Sequence, residues 1–215
     1  MHSFKTQQIA RNQTIADELD LRGYSICENF LAANLITDLQ QDFDAQFKLG
    51  LFKPAAISQK RIFASAQSEV RRDATYWLQP EALTSAQSAL WSELDGLKAT
   101  FNELLHIGIW NLEGHYASYP EGGFYHRHFD RFSGDDARLV SVVLYLNKDW
   151  VEDNGGWLKL YVTQPCAVRE ILVTPLAGTL VCFLSDQIEH EVLESHRERK
   201  SFAGWFRRRS PQDLW

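Results

Sequence analysis

Cysteine is scarce in this chain: three in 215 residues, at positions 27, 166 and 182, with no Cys-x-x-Cys pair among them. An odd, widely spaced set argues against a disulfide framework and fits a reducing compartment, so a cytoplasmic location is expected. Long apolar runs are missing too. No stretch approaches the ~18 apolar residues of a membrane-spanning helix, and residues 1–24 carry no apolar core behind a basic start, so neither a span nor a leader is expected. Positive charge is in deficit: 22 Lys and Arg against 28 Asp and Glu give a formal charge of −6. That balance argues against general binding to nucleic acid or membrane surfaces. The run Arg207-Arg208-Arg209 is the local exception and reads as a solvated strand end. Repeats, low-complexity segments and linkers are absent. Residues 1–215 are therefore read as a single domain, long enough to bury most of a core, and a monomer is expected.

What is present falls into two periods. From Asn34 to Phe47, apolar residues recur at 35, 36, 39, 43 and 47, the stripe of an amphipathic helix with Asn34 as its candidate cap. Residues Ser85 to Leu105 repeat the pattern, with Leu90, Leu94, Leu97, Phe101 and Leu104 on one side. After Gly108 the period shortens. Segments 109–119, 124–131, 138–146, 157–162, 166–174, 179–184, 188–193 and 199–207 are short, rich in β-branched and aromatic residues, and separated by Gly, Asn, Asp or Pro. These are the marks of strands in an all-β barrel or jelly roll. Leu139 to Leu146 is apolar on both faces, as suits a strand covered by helices outside and lining a pocket inside with Ser141, Val143 and Tyr145. The expected fold is mainly β with N-terminal helices. Residues 106–209 would form a double-stranded β-helix (jelly-roll) core with α-helices packed on one sheet, and residues 1–105 a helical and substrate-loop region. Within the latter, residues 52–77, with Pro54 and mixed polarity, are expected to make an excursion toward the pocket mouth.

The residues that carry chemistry begin with His128 and Asp130. Side chains two apart on a strand share a face, so both can point at one ion with Cβ atoms roughly 6–7 Å apart. A third ligand must come from elsewhere. His190 follows the apolar strand Thr179 to Leu184 and is expected to return from a non-adjacent strand of a closed β structure. Two histidines and one carboxylate fill one face of an octahedron and leave the other open, the arrangement of non-haem Fe(II) oxygenases. The open positions suit a bidentate 2-oxo acid and dioxygen. Such an acid leaves a far carboxylate, which the planar fork of arginine meets with two parallel charge-assisted hydrogen bonds. Arg199 is read in that role: it lies nine residues after His190, beyond the polar turn Glu194 to Glu198, on a strand face shared with Ser201, Ala203 and Trp205. His126 falls on the face of His128 by the same alternation and competes as a ligand or as an orienting neighbour. His2, His106, His115 and His196 have no motif around them and are read as structural or solvent-facing, and Cys182 beside Phe183 as a small core residue.

In this order and with these flanks, the chain resembles the prolyl 4-hydroxylase branch of the Fe(II)/2-oxoglutarate oxygenases, most of all the hypoxia-inducible-factor prolyl hydroxylases and their bacterial relatives. The resemblance rests on Tyr119-Pro120, Arg127 to Asp130, Leu144 to Trp150, Asn154-Gly155-Gly156, Pro175 to Thr179, Ser185-Asp186 with His190 to Val192, and Arg199 with Trp205-Phe206. Upstream, Val70 to Asp73 with Trp77 resembles the stretch these enzymes place over a protein substrate, so the match runs across residues 70–207. It implies that His128, Asp130 and His190 bind Fe(II) and that Arg199 holds the far carboxylate of 2-oxoglutarate. Tyr145 would add a phenol hydrogen bond to that carboxylate. Tyr119 and Trp205 would complete the cosubstrate set, and Arg71, Asp73 and Trp77 would meet the substrate. One departure stands out: where animal relatives carry a hydroxyl-bearing residue on the last strand this chain is assigned Gly204, so that contact is either missing or supplied by Ser201.

The implied activity is hydroxylation of a prolyl residue at C4 in a protein, consuming O2 and 2-oxoglutarate and releasing succinate and CO2, with ascorbate as a candidate stimulant. A translation elongation factor is the candidate partner in a bacterial setting. Two alternatives stay open at this point: the same chemistry on a free amino acid, small metabolite or nucleobase, and a non-catalytic metal- or oxygen-responsive binding module. A clamp for a 2-oxo acid argues against the second.

Overall fold

The computed structural model describes residues 2–55, 70–131 and 137–209. In chain order the elements are α1 (His2–Arg22), β1 (Tyr24–Cys27), α2 (Ala33–Lys48), β2 (Lys53–Pro54), β3 (Ala74–Trp77), α3 (Ser85–Leu105), β4 (Asn111–Tyr119), β5 (Gly123–His128), β6 (Arg138–Tyr145), β7 (Leu158–Gln164), β8 (Ala167–Val173), β9 (Leu180–Leu184), β10 (Glu189–Ser195) and β11 (Arg199–Arg207). The major sheet has the order β1-β9-β6-β11-β4-β3-β2 and the minor sheet β5-β10-β7-β8. Neighbouring strands pair antiparallel in both. This is the jelly-roll architecture expected, with helices on the major sheet.

The helices form for local reasons. Thr84 opens α3 with a reciprocal capping box, its side chain accepting from the Gln87 amide while the Gln87 side chain accepts from the Thr84 amide. The helix closes at His106, which takes the left-handed conformation with φ 53°. α2 begins two residues before its expected start: the cap position is Ala32, not Asn34, with no side-chain hydrogen bond, and Asn34 lies inside the first turn. α1 escapes the sequence pattern because only Asn12, Ile15, Ala16 and Leu19 are buried among its described side chains, too short a stripe for the helical period to show. No described helix is long and apolar enough to cross a membrane.

The core divides at the major sheet. On its outer face Ile15, Leu39, Phe43, Leu90, Leu94 and Phe101 from the helices meet Val140, Val142, Leu144, Phe202 and Phe206 from the strands. On its inner face Tyr119, Tyr145, Val181 and Phe183 meet Leu158, Leu160, Ile188 and Val192 of the minor sheet and its approach. β6 alternates between these two clusters, with Val140, Val142 and Leu144 outside and Val143 and Tyr145 inside, which explains why it is apolar on both sides. Gly114 and Gly204, opposed on β4 and β11, leave a slot for the Phe202 ring. A Cβ on Gly204 would lie 2.9 Å from that ring, and one on Gly114 would be closer still. A side chain at 204 would therefore face the helices. Ser201 and Ala203 hold the inner face, so the departure assigned to Gly204 belongs to the wrong side of the strand.

Candidate active site

The minor sheet brings the two histidines together. β10, far along the chain, is the hydrogen-bonded neighbour of β5, and His190 is the cross-strand partner of His128. Asp130 differs from expectation, lying past the end of β5 rather than on it, at a bend in the chain. A bulge in β5 completes the arrangement. Between the pairs His190–His128 and Val192–Tyr125, β5 uses one more residue than β10. Such an extra residue breaks the two-residue alternation. Tyr125, three residues before His128, thereby stacks on its ring at 3.6 Å between centroids. His126 turns outward, exposed against Phe124, and is no competitor for an ion.

Ligand atoms of His128, Asp130 and His190 all lie within 4.8 Å of one another. His128 Nδ1 donates to the His126 carbonyl at 2.8 Å, and His190 Nδ1 lies 3.4 Å from the Ile188 carbonyl. A carbonyl can only accept, so Nδ1 carries the proton and Nε2 presents its lone pair to the cluster. Asp130 Oδ1 lies 3.5 Å from His128 Nε2, and Oδ2 lies 3.6 Å from His190 Nε2. Burial works against the Asp130 charge, but His190, His128 and the Ser141 hydroxyl together hold its carboxyl well below the usual carboxylate range. Burial pushes His190 down to about 4, against the pull of Asp130, so it is neutral near pH 7. The cluster thus offers a cation an ionised carboxylate and, at His190, an unprotonated imidazole.

The three residues share a cavity of about 440 Å³ with Arg199. Nine-residue pairing of β11 with β4 sets Arg199 beside Tyr119, and pairing with β6 sets Ser201 beside Tyr145. The Arg199 side chain is 1% exposed, with its guanidinium 5.0 Å from the Tyr119 ring and 5.1 Å from the Tyr145 ring. Its Nε donates to the Gly156 carbonyl at 2.8 Å and one terminal nitrogen to Ser201 Oγ at 3.4 Å. Gly156 has φ 63°, and a Cβ there would lie 3.0 Å from Arg199 Cδ, so the close approach needs glycine. Among the described residues no carboxylate pairs with this buried cation. Tyr145 sits beside it, its hydroxyl buried without a hydrogen-bond partner. Burial pushes that phenol up to about 12 against the pull of the Arg199 charge, which keeps it a donor.

Arg71 lies on the same cavity, Asp73 behind it. The pair is bidentate, both bonds 2.6 Å, with side-chain exposures of 12% and 0%. The Arg71 guanidinium lies 4.1 Å over the Tyr125 ring. Trp77, 42% exposed, stacks on Trp205 at 5.9 Å, and Arg138 covers the Trp205 ring at 3.6 Å. Sequence reasoning missed His115. It is buried and lines the cavity between Trp77 and Trp205, so of its two expected settings the solvent-facing one is excluded. The signal was available: counting back by two from Tyr119 along β4 reaches Ala117 and then His115. Residues 56–69, the middle of the expected excursion, lie outside the described residues, as does the C-terminal Pro211 to Trp215.

Residues 114–207 match the family model for the 2OG-Fe(II) oxygenase superfamily. A crystal structure of a Pseudomonas putida prolyl-4-hydroxylase is 37% identical, with a TM-score of 0.83 over 93% of this chain and 100% of that one. The chain belongs to the 2OG-Fe(II) oxygenase superfamily. A Trichoplax adhaerens prolyl hydroxylase, solved with a hypoxia-inducible-factor peptide fragment, matches this superfamily member at 25% identity and a TM-score of 0.86, over 96% and 93% of the two chains. Human Egl nine homolog 1 is 27% identical over 87% of this chain and 44% of its own length. The chain thus spans about half the length of the curated Egl nine homologues it matches, with shares of 44%, 56% and 47%.

The superfamily implies Fe(II), 2-oxoglutarate and O2, and the residues of this oxygenase fit them. Two Nε2 lone pairs and a carboxylate suit a divalent iron with open positions. A buried guanidinium and an orphaned phenol donor suit the far carboxylate of a 2-oxo acid.

Proposed function

We propose that this chain is a protein prolyl 4-hydroxylase acting as a single domain, in which His128, Asp130 and His190 hold Fe(II) and Arg199 and Tyr145 hold the far carboxylate of 2-oxoglutarate. The observation that carries the reading is the unpaired Arg199 in the cavity of a two-histidine, one-carboxylate cluster. A pure metal-binding module has no use for that arginine. When bound, iron and 2-oxoglutarate supply the oxidation: O2 is consumed, succinate and CO2 leave, and one oxygen atom enters a C–H bond of the substrate.

The chain's own residues do the rest. A neutral His190 and an ionised Asp130 reach the metal without first shedding protons near pH 7, and His128 adds the third donor. Arg199 sets the end and the direction of the cosubstrate, with Tyr119 and Tyr145 walling the cation from water. Trp77, Trp205 and Tyr125 form an aromatic rim suited to an apolar ring such as proline. The Arg71–Asp73 pair braces Tyr125 from behind. A polypeptide substrate is supported by the relatives, since the Trichoplax enzyme was solved with a peptide.

The reading is tested by anaerobic titration of the apoprotein with Fe(II) and then 2-oxoglutarate, following the visible charge-transfer band. Asp130→Ala should abolish the band. Arg199→Ala should weaken 2-oxoglutarate binding at least about 30-fold, the effect of ~2 kcal/mol for truncating one partner of a buried charge pair. A wild-type band that both variants retain would remove the site assignment. Mass spectrometry of proteins incubated with the loaded enzyme then looks for oxidised proline, and turnover confined to free amino acids would sink the protein substrate.

A further inference from the structure

The two oxygens of Asp130 have different neighbours. Oδ1 is the oxygen toward His128, at 3.5 Å from its Nε2, whereas Oδ2 is the oxygen toward His190, at 3.6 Å, and also accepts a 2.7 Å hydrogen bond from Ser141 Oγ. Ser185 Oγ lies 2.9 Å behind Ser141 Oγ. Both serines are sealed from solvent, at 1% and 0% exposure. The proton order along this chain is forced. An ionised carboxylate only accepts, so Ser141 donates to Oδ2, and Ser141 Oγ then accepts from the Ser185 hydroxyl. Hydrogen bonds in such a buried series polarise one another in the same direction.

The relay is anchored away from the histidines. Ser141 is on β6, paired with Phe183 of β9, and Ser185 follows β9 directly. The Ser185 amide donates to the Leu139 carbonyl at 3.0 Å, and its carbonyl accepts from the Arg131 amide at 3.3 Å. The major sheet thus grips one oxygen of a carboxylate whose partner imidazoles belong to the minor sheet.

We infer that Ser141, aimed by Ser185, is a positioning residue that restrains Asp130 to a single ligating oxygen, Oδ1. The inference rests on the metal site proposed above. Its chemical purpose follows from counting. Two imidazoles, one carboxylate oxygen and a bidentate 2-oxo acid leave one octahedral position for O2, and a chelating carboxylate would fill it. A carboxylate with one oxygen already engaged at 2.7 Å resists that slide.

The test is Mn(II) binding, followed by electron paramagnetic resonance of the free ion, in wild type, Asp130→Ala, Ser141→Ala, Ser141→Thr and Ser185→Ala, with melting of each metal-free protein alongside. Ser141→Ala should weaken Mn(II) binding about 10- to 100-fold, the range for losing a partner that orients a ligand. Ser141→Thr keeps the hydroxyl and should restore affinity, and Ser185→Ala should show a smaller loss. Ser141→Ala that binds Mn(II) as wild type does, with only its melting temperature lowered, overturns the inference and leaves the serine a core hydroxyl. Should Ser141→Ala not fold, Ser185→Ala decides, and wild-type affinity there overturns it. Wild type that binds no Mn(II), or Asp130→Ala that binds it equally well, brings down the metal site and the inference with it.

Discussion

A proton has little to gain from the place where His115 sits. Burial first, then the neighbouring Arg71 and Arg138 charges, push its pKa down to about 3. Its Nδ1 lies 3.1 Å from the Tyr116 carbonyl and carries the hydrogen, so the neutral ring keeps a bare Nε2. Unfolding returns the imidazole to its ordinary value of 6.5, so between pH 6.5 and pH 3 the unfolded chain binds a proton that the folded chain refuses. Stability is therefore full above that window and is lost as pH falls, by up to ~1.4 kcal/mol per pH unit for one such group. His190, pushed down to about 4, acts with the same sign in the metal-free protein. Asp130 loses its contribution only at lower pH, since its folded value lies below the ordinary 3.8. We predict that urea unfolding of metal-free His115→Met between pH 7 and pH 5 shows a visibly shallower loss of stability than wild type. Parallel profiles would mean that His115 titrates alike in both states.

Strand β4 illustrates how a paired element is tuned to its neighbour. Glycine costs a strand stability in general, yet Gly114 and Gly204 face one another because the Phe202 ring occupies the room their side chains would need. Gly114→Ala should lower stability by ~1–3 kcal/mol, the range for overpacking a filled core. A thermal melt would register it, and adding Phe202→Leu should return part of the loss. An unchanged melting temperature for Gly114→Ala would mean that the ring moves aside freely. Strand β5 makes the opposite use of irregularity: its bulge turns Tyr125 onto His128 and His126 out to solvent. Strict alternation along 124–131 reads the two histidines as neighbours on one face, and nothing local in the sequence marks the extra residue.

Taken as one body, the molecule places its cluster where the two sheets meet. His128 and His190 are carried by the minor sheet, while Asp130 is tied to β6 of the major sheet through Ser141. A bound metal therefore adds a further link between the two sheets. A divalent ion at 100 times its dissociation constant should add ~2.7 kcal/mol to stability. Mn(II) should accordingly raise the melting temperature, chelation should reverse the rise, and hydrogen exchange should slow most in β5 and β10. Asp130→Ala is expected to melt at one temperature with and without Mn(II). A shift preserved in that variant would place the stabilising ion elsewhere.

Much of this was legible before any coordinates. The spacing His128-x-Asp130, the later His190 and Arg199, and the strand periods after Gly108 depend on residue type and local alternation, which a linear chain displays directly. The short α1 stripe and the four-residue strands β1 and β3 did not show, because segments that bury so few side chains leave no period to read. Tertiary structure alone decided the rest: that β10 lies against β5, that Asp130 stands beyond its strand, that Arg71 and Asp73 form a sealed pair, and that Ser141 reaches a carboxylate eleven residues away. Register and bulges answer to what each strand buries against partners far along the chain, and the charge on a group answers to the water that packing removes. Neither quantity is a property of the residue or its neighbours in sequence.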